Sequence, residues 1–150
     1  MDRSLWAVLA GTFTLRFSTG LTGAMLGAYL ATIAGVSPIV VGIFGATFYL
    51  AELVLSPIFG VLSDRQGHHK VMLYGPAFGA VAVVLTALTT NLFVLGGTRW
   101  LEGASTAASV PSILGFIAMV TAGDASLRGK ASARFEGATL VGLGAGFAVA

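Results

Sequence analysis

The sequence has no cysteine, and only 9% of its 150 residues are charged. The first absence excludes disulfides, thiolate chemistry and Cys-ligated zinc. The second excludes a water-facing surface, because a soluble globular domain carries about 25% charged residues. The net charge is only +2, and the basic residues do not gather on one surface, so no nucleic-acid footprint is present. The two histidines are adjacent, His68 and His69. They lack the i, i+4 spacing of a helical zinc pair and have no third ligand, which leaves no metal site. What fills the chain is apolar: 56% of it is hydrophobic, in runs such as "IVVGIFGATFYLAELVLSPIF". This composition specifies an all-α integral membrane protein, in contact with the lipid bilayer and with room for about five spanning helices.

The expected spans are residues 5–34, 37–63, 71–88, 92–122 and 131–150, the last cut short. Ser37 can cap the second span, with Pro38 at the first helical position, where its missing N–H is no loss. "TTN", residues 89–91, turns the chain between spans three and four, and Pro111 interrupts the hydrogen-bond ladder of span four. Arg3, then Arg65 and Lys70, then Arg128 and Lys130 fall at the start and in alternate connections, whereas "AGVS" and "TTN" carry no charge. The positive-inside rule therefore places the N-terminus in the cytoplasm, for a multi-pass protein of the cell (inner) membrane.

Ionisable residues inside the spans are Arg16, Glu52, Arg99 and Glu102. A charge facing lipid at mid-span costs upward of about 2.5–3.5 kcal/mol, so each is expected to face protein or a wet cavity. Helical spacing gives three polar stripes: Thr12, Arg16, Thr19, Gly23 and Gly27 in span one; Gly45, Tyr49, Glu52, Ser56 and Gly60 in span two; Arg99, Glu102, Thr106 and Ser109 in span four. Spans one, two and four are expected to surround a common polar space that carries a substrate or a proton. Span three, with Gly75 and Gly79, reads as a close-packing or peripheral helix. Burial and a nearby Arg99 act on the Glu52 carboxyl in opposite senses, so a change in that pairing would move a proton. The competing explanation is a set of interhelical ion pairs that only hold the helices together. Glu102 is a rival for the acid role, or the neutralising neighbour of Arg99.

The turn "GVLSDRQGHHK" resembles the loop between the second and third helices of major facilitator superfamily transporters. That pattern is a glycine, three residues, Asp, a basic residue, any residue, a second glycine and further basic residues. Gly60, Asp64, Arg65, Gly67 and Lys70 match it, with His68 and His69 where Arg or Lys is usual. "RWLEGASTAAS" resembles the family's fourth-helix pattern through Arg99, Glu102 and Gly103, with Glu102 in place of the usual Gln. Arg128, Gly129 and the glycines after them resemble the beginning of helix five. Phe147 follows Gly146, so the Gly-Pro signature of many antiporters is missing.

The resemblance implies that residues 1–150 are an incomplete N-terminal transmembrane half-domain, part of a six-helix half that requires the missing C-terminal half of the transporter. It implies a secondary active transporter that moves a small-molecule substrate by alternating access, with proton coupling as one mode, and no cofactor. By analogy Asp64 lies at a cytoplasmic gate, Arg65 and Lys70 help latch the outward-open state, Gly60 allows close helix contact, Gly67 a tight turn, and Arg99 serves coupling or substrate binding. Arg16 and Glu52 lie outside the motifs and rest on their stripes alone. For the histidines, headgroup contact is favoured over a role in tuning the gate. The alternative reading is a non-transporting helical membrane fragment or partner protein. An enzyme is not expected: "EGASTA" lacks the glycine after serine of a nucleophile elbow, and both histidines lie in a water-facing turn.

Overall fold

A computed structural model describes residues 2–150, which form helices and connections with no strand among them. Helix α1 is Arg3–Ala28, followed by a π-helical turn at Tyr29–Ile33. Then come α2 (Pro38–Gln66), α3 (His68–Leu88), α4 (Leu92–Val120) and α5 (Ala125–Val149).

Each break has a local cause. The α-helical ladder of α1 stops six positions short of residue 34, and the Ala34 N–H reaches back to the Tyr29 carbonyl at 2.9 Å. Gly35, with φ of 64°, then reverses the chain. Ser37 caps α2 by accepting from the Val40 N–H, with Pro38 opening the helix. Before α4, the Asn91 side-chain oxygen accepts from the N–H groups of Phe93 and Val94 at 2.9 and 3.4 Å. Helix α5 starts at Ala125 rather than near residue 131, because the Asp124 carboxylate accepts from the Leu127 N–H at 2.9 Å and caps it there. Its 25 residues measure about 37 Å at ~1.5 Å each, and the added turns are the charged ones that precede the apolar run 137–150.

Helices α2, α3 and α4 are long and apolar enough to cross a membrane. Helices α1 and α5 match them in length, but their mean hydropathy is lowered by the Thr, Ser and Arg residues of α1 and by Arg128, Lys130, Arg134 and Glu136 in α5. The distribution of side chains is inverted relative to a water-soluble fold. Leu53, Leu73 and Leu88 are largely exposed, while Thr98, Ser105, Thr106, Ser109 and Ser112 are buried. Hydrocarbon solvates leucine as well as protein does, so nothing drives it inward, whereas hydroxyls and small residues let helices approach and bond.

The chain divides into two compact units, one of residues up to Leu26 together with Leu114–Ala150, the other Gly27–Ile113. In the second unit α2 and α4 run parallel. Gly103 lies opposite Phe48–Glu52, and further along Gly60 lies opposite Pro111. Helix α3 packs closely on α4 at Gly75, where any Cβ would strike Ser109 Oγ and lie 2.8 Å from the Ser105 carbonyl. The Ser105 hydroxyl donates to the Gly75 carbonyl at 2.6 Å across the same seam. Of the two expectations for the third helix, close packing is the one seen at Gly75. In the first unit α1 and α5 also run parallel: Gly142 meets the Phe13 carbonyl, and one turn on Gly146 meets the Phe17 carbonyl and the Leu21 nitrogen.

Candidate functional site

Arg99 and Glu102 lie one turn apart on α4, 8% and 5% exposed. The Arg99 Nη1 donates to Glu102 Oε2, making a buried ion pair within one helix. The guanidinium also lies over the Phe48 ring, with Cζ 4.9 Å from its centroid, within the range of a cation–π contact. Phe48 is held edge-on by Tyr49 at 5.2 Å. Phe48 was absent from the expected polar stripe, since a phenylalanine in an apolar run carries no mark of a functional neighbour. Its register is the only available signal: it stands one turn before Glu52.

Below the pair, Gly103 lets α2 approach α4. A Cβ at this position would collide with the Phe48 carbonyl and lie 2.7 Å from the Ala51 Cβ. The face of α2 toward α4 is thus Phe48 and Ala51, one residue around from Tyr49. The stripe of Tyr49, Glu52 and Ser56 instead lines an open groove with Leu53 and Pro57. Tyr49 is 68% exposed, and Glu52 half-buried. The cation Arg99 is matched by Glu102, its own helical neighbour, which leaves the Glu52 carboxyl on the groove. Thr106 and Ser109 continue the α4 row as buried hydroxyls without a hydrogen-bond partner among the described residues. In the first unit, half-buried Arg16 sits where α1 meets α5, its Cβ 3.1 Å from the position a Cβ would take on Gly142.

The turn between α2 and α3 is a single residue, Gly67, at φ 98° and ψ 136°. Its N–H bonds back to the Ser63 carbonyl at 3.0 Å. Ser63 is buried and its hydroxyl meets His68 Nδ1 at 2.5 Å, while the Tyr74 hydroxyl donates to Gln66 Oε1 at 2.9 Å. Both bonds join α2 to α3, so the imidazole of His68 helps tie the turn together. His69 is exposed. Asp64, Arg65 and Lys70 are exposed around the turn, and Arg65 occupies the last turn of α2, where the helix dipole favours a cation. At Gly60 an added Cβ would lie 3.9 Å from the Pro111 Cβ, an ordinary contact; the close approach expected there occurs at Gly75 and Gly103. Gly67 is the strained position. Gly67→Ala should lower stability by about 1–3 kcal/mol, the cost of a left-sided backbone for an L-residue, read from thermal unfolding in detergent.

The sequence profile of the Major Facilitator Superfamily matches residues 8–150. Among curated proteins, Multidrug resistance protein MdtG of Proteus mirabilis is 30% identical over 105 residues, covering 68% of this chain and 26% of that protein. Quinolone resistance protein NorA of Staphylococcus aureus is 26% identical over 121 residues, 81% of this chain and 31% of that protein. The matched stretch thus spans less than a third of these relatives. A profile match across nearly every residue, together with apolar helices around a buried ion pair, establishes that the chain belongs to the Major Facilitator Superfamily.

Proposed function

We propose that this polypeptide supplies leading helices of the N-terminal half of a secondary active transporter, one that moves a small solute across the cell membrane by alternating access, coupled to protons. The observation that carries the reading is the Arg99–Glu102 pair, buried within a membrane helix and stacked on Phe48. Ionised groups at such depth are costly and mark substrate or proton routes by default. In this reading Glu52, on its open groove, takes up and releases the coupled proton, and Arg99, Glu102 and Arg16 line the route. The N-terminus is cytoplasmic, and Asp64, Arg65 and Lys70 meet the second half of the transporter across the Gly67 turn, where Gly60 also belongs to the gate motif. Two relatives named for multidrug and quinolone resistance favour drug-like amphipathic molecules as the solute class.

The test is flux of such a solute into vesicles carrying the product of the whole reading frame, with and without an imposed pH gradient. Glu52→Gln should abolish the response to the gradient. Asp64→Asn should slow flux at least about tenfold, the equivalent of ~1.4 kcal/mol at the barrier, with unchanged abundance in the membrane. Gradient dependence that survives Glu52→Gln removes Glu52 from coupling, and normal flux in Asp64→Asn removes the gate.

A further inference from the structure

Thr12, Thr19, Thr86 and Thr121 each donate their hydroxyl to the carbonyl one turn back, at 2.8, 2.9, 2.7 and 2.6 Å. On α4 the Ser105 hydroxyl instead crosses the seam to the Gly75 carbonyl. Thr106 and Ser109 do neither. They are 0% and 1% exposed, and their side-chain oxygens have no partner among the described residues. A buried hydroxyl left unbonded is costly, so each needs a partner in some state of the protein. The same face of α4 carries Glu102. Thr106 lies four residues after it and Ser109 seven, so at about 100° per residue the three fall within a sector of about 60°, each one turn from the next. Side chains on a helix lean toward its N-terminus, which aims Thr106 back at Glu102 and Ser109 back at Thr106.

We propose that Thr106 and Ser109 form a second station for the Glu102 carboxyl: ionised, it pairs with Arg99; carrying a proton, it swings one helical turn along and bonds to Thr106. The inference rests on the proton route proposed above and makes Glu102 a carrier on that route, with Thr106 and Ser109 as positioning residues. In the step, the bond from Arg99 Nη1 to Glu102 Oε2 breaks and a proton from water settles on the carboxyl. A protonated carboxyl gains an O–H donor, which goes to Thr106 Oγ1. The Thr106 hydroxyl then donates to Ser109 Oγ, and the Ser109 hydroxyl to the Ser105 carbonyl one turn back, so both unpartnered oxygens are satisfied together. Arg99 is not stranded by this change, because its guanidinium already lies over the Phe48 ring, Cζ 4.9 Å from the centroid. Of the helices packed on α4 in this unit, α2 brings Glu52, whose carboxyl lies on the groove with Tyr49 and Ser56. Beyond His68, His69 and Lys70 at its start, α3 brings only Tyr74, whose hydroxyl is bonded to Gln66. Within α4 itself, Arg99 and Glu102 are the only charged residues.

Infrared difference spectra of the full polypeptide in lipid vesicles, taken on acidification, test this. A protonated-carboxyl band that disappears in Glu102→Gln identifies the group. Thr106→Val keeps the shape of the side chain and removes its hydroxyl; it should move that band to higher wavenumber, the signature of a lost hydrogen bond. Thr106→Ser, which restores the hydroxyl, should return the band, and Ser109→Ala should move it by a smaller amount. If Thr106 only fills space, valine leaves the band where it is, and that result overturns the proposal. So does the absence of any Glu102-dependent band at every pH at which circular dichroism shows the helices intact. Should Thr106→Val lose its helices, Thr106→Ala removes the same hydroxyl and is read in the same way. The proton route is judged by a different measurement, the gradient dependence of flux in Glu52→Gln, so a failed station at Thr106 and a failed route give separate results.

Discussion

Arg99→Leu should destabilise the folded protein by about 3–5 kcal/mol, the loss expected when one member of a buried ion pair is removed and the other is stranded. Glu102 would then remain 5% exposed on α4 with its cation gone, and Phe48 would lose the guanidinium from its face. The informative experiment adds Glu102→Leu to the same molecule. A buried ion pair replaced by packed apolar residues is often neutral or even stabilising by about 1–4 kcal/mol, so the double variant should recover most or all of the lost stability. Unfolding of the two variants in mixed detergent micelles measures this directly. If the pair serves only to hold α4 in place, the double variant should also recover flux in the complete transporter. If it lies on the route of a substrate or a proton, stability returns and flux does not. Recovery of both in the double variant would reduce the pair to a structural element and leave Glu52 to carry the coupling alone.

Much of this arrangement was readable from residue order because a membrane makes polar residues conspicuous. Arg99 and Glu102 stand out in an apolar run, and the same energetic penalty that makes them conspicuous forces them inside. Gly67 announced its tight turn through its place in the loop pattern, and its positive φ supplies the physical reason. The beginning of α5 was harder to read. Asp124 and the basic residues after it look like a solvated connection until the carboxylate is seen to cap Leu127, after which Arg128 and Lys130 become part of the helix. The π turn at Tyr29–Ile33 leaves no mark in an unbroken apolar stretch. Phe48 and Ala51 were invisible for a similar reason: among apolar residues facing lipid or protein alike, only three-dimensional contact distinguishes the face that touches α4. Of the two acids weighed as partners of Arg99, Glu102 is the one that pairs with it, since it lies one turn away on the same helix and needs no second element to reach the guanidinium.

Gly103→Val should be the most damaging glycine substitution in the second unit, because its obstacles are nearly all backbone. Even a single Cβ would strike the Phe48 carbonyl, sit 2.7 Å from the Ala51 Cβ and lie 3.2 Å from the Glu52 nitrogen. None of these atoms is the far end of a flexible side chain, so α2 has to move away from α4. Overpacking of this kind costs about 1–3 kcal/mol for the first added carbons, and the branched valine should fall at or above the upper end. Gly97→Ala on the same helix is the matched control: an added Cβ there meets nothing within 4 Å, and alanine is favoured over glycine in a helix by up to about 1 kcal/mol. Stability should therefore hold or rise slightly. Displacing α2 also draws the Phe48 ring off Arg99 and shifts Glu52 on its groove, so Gly103→Ala, the milder change, should reduce flux more than its loss of stability alone explains. Ala51→Gly removes the one side-chain obstacle and should restore part of the stability of Gly103→Ala, with the Phe48 carbonyl setting the remainder. Full tolerance of Gly103→Val would mean that α2 and α4 do not touch at this level, and the placement of Phe48 over Arg99 would fall with it.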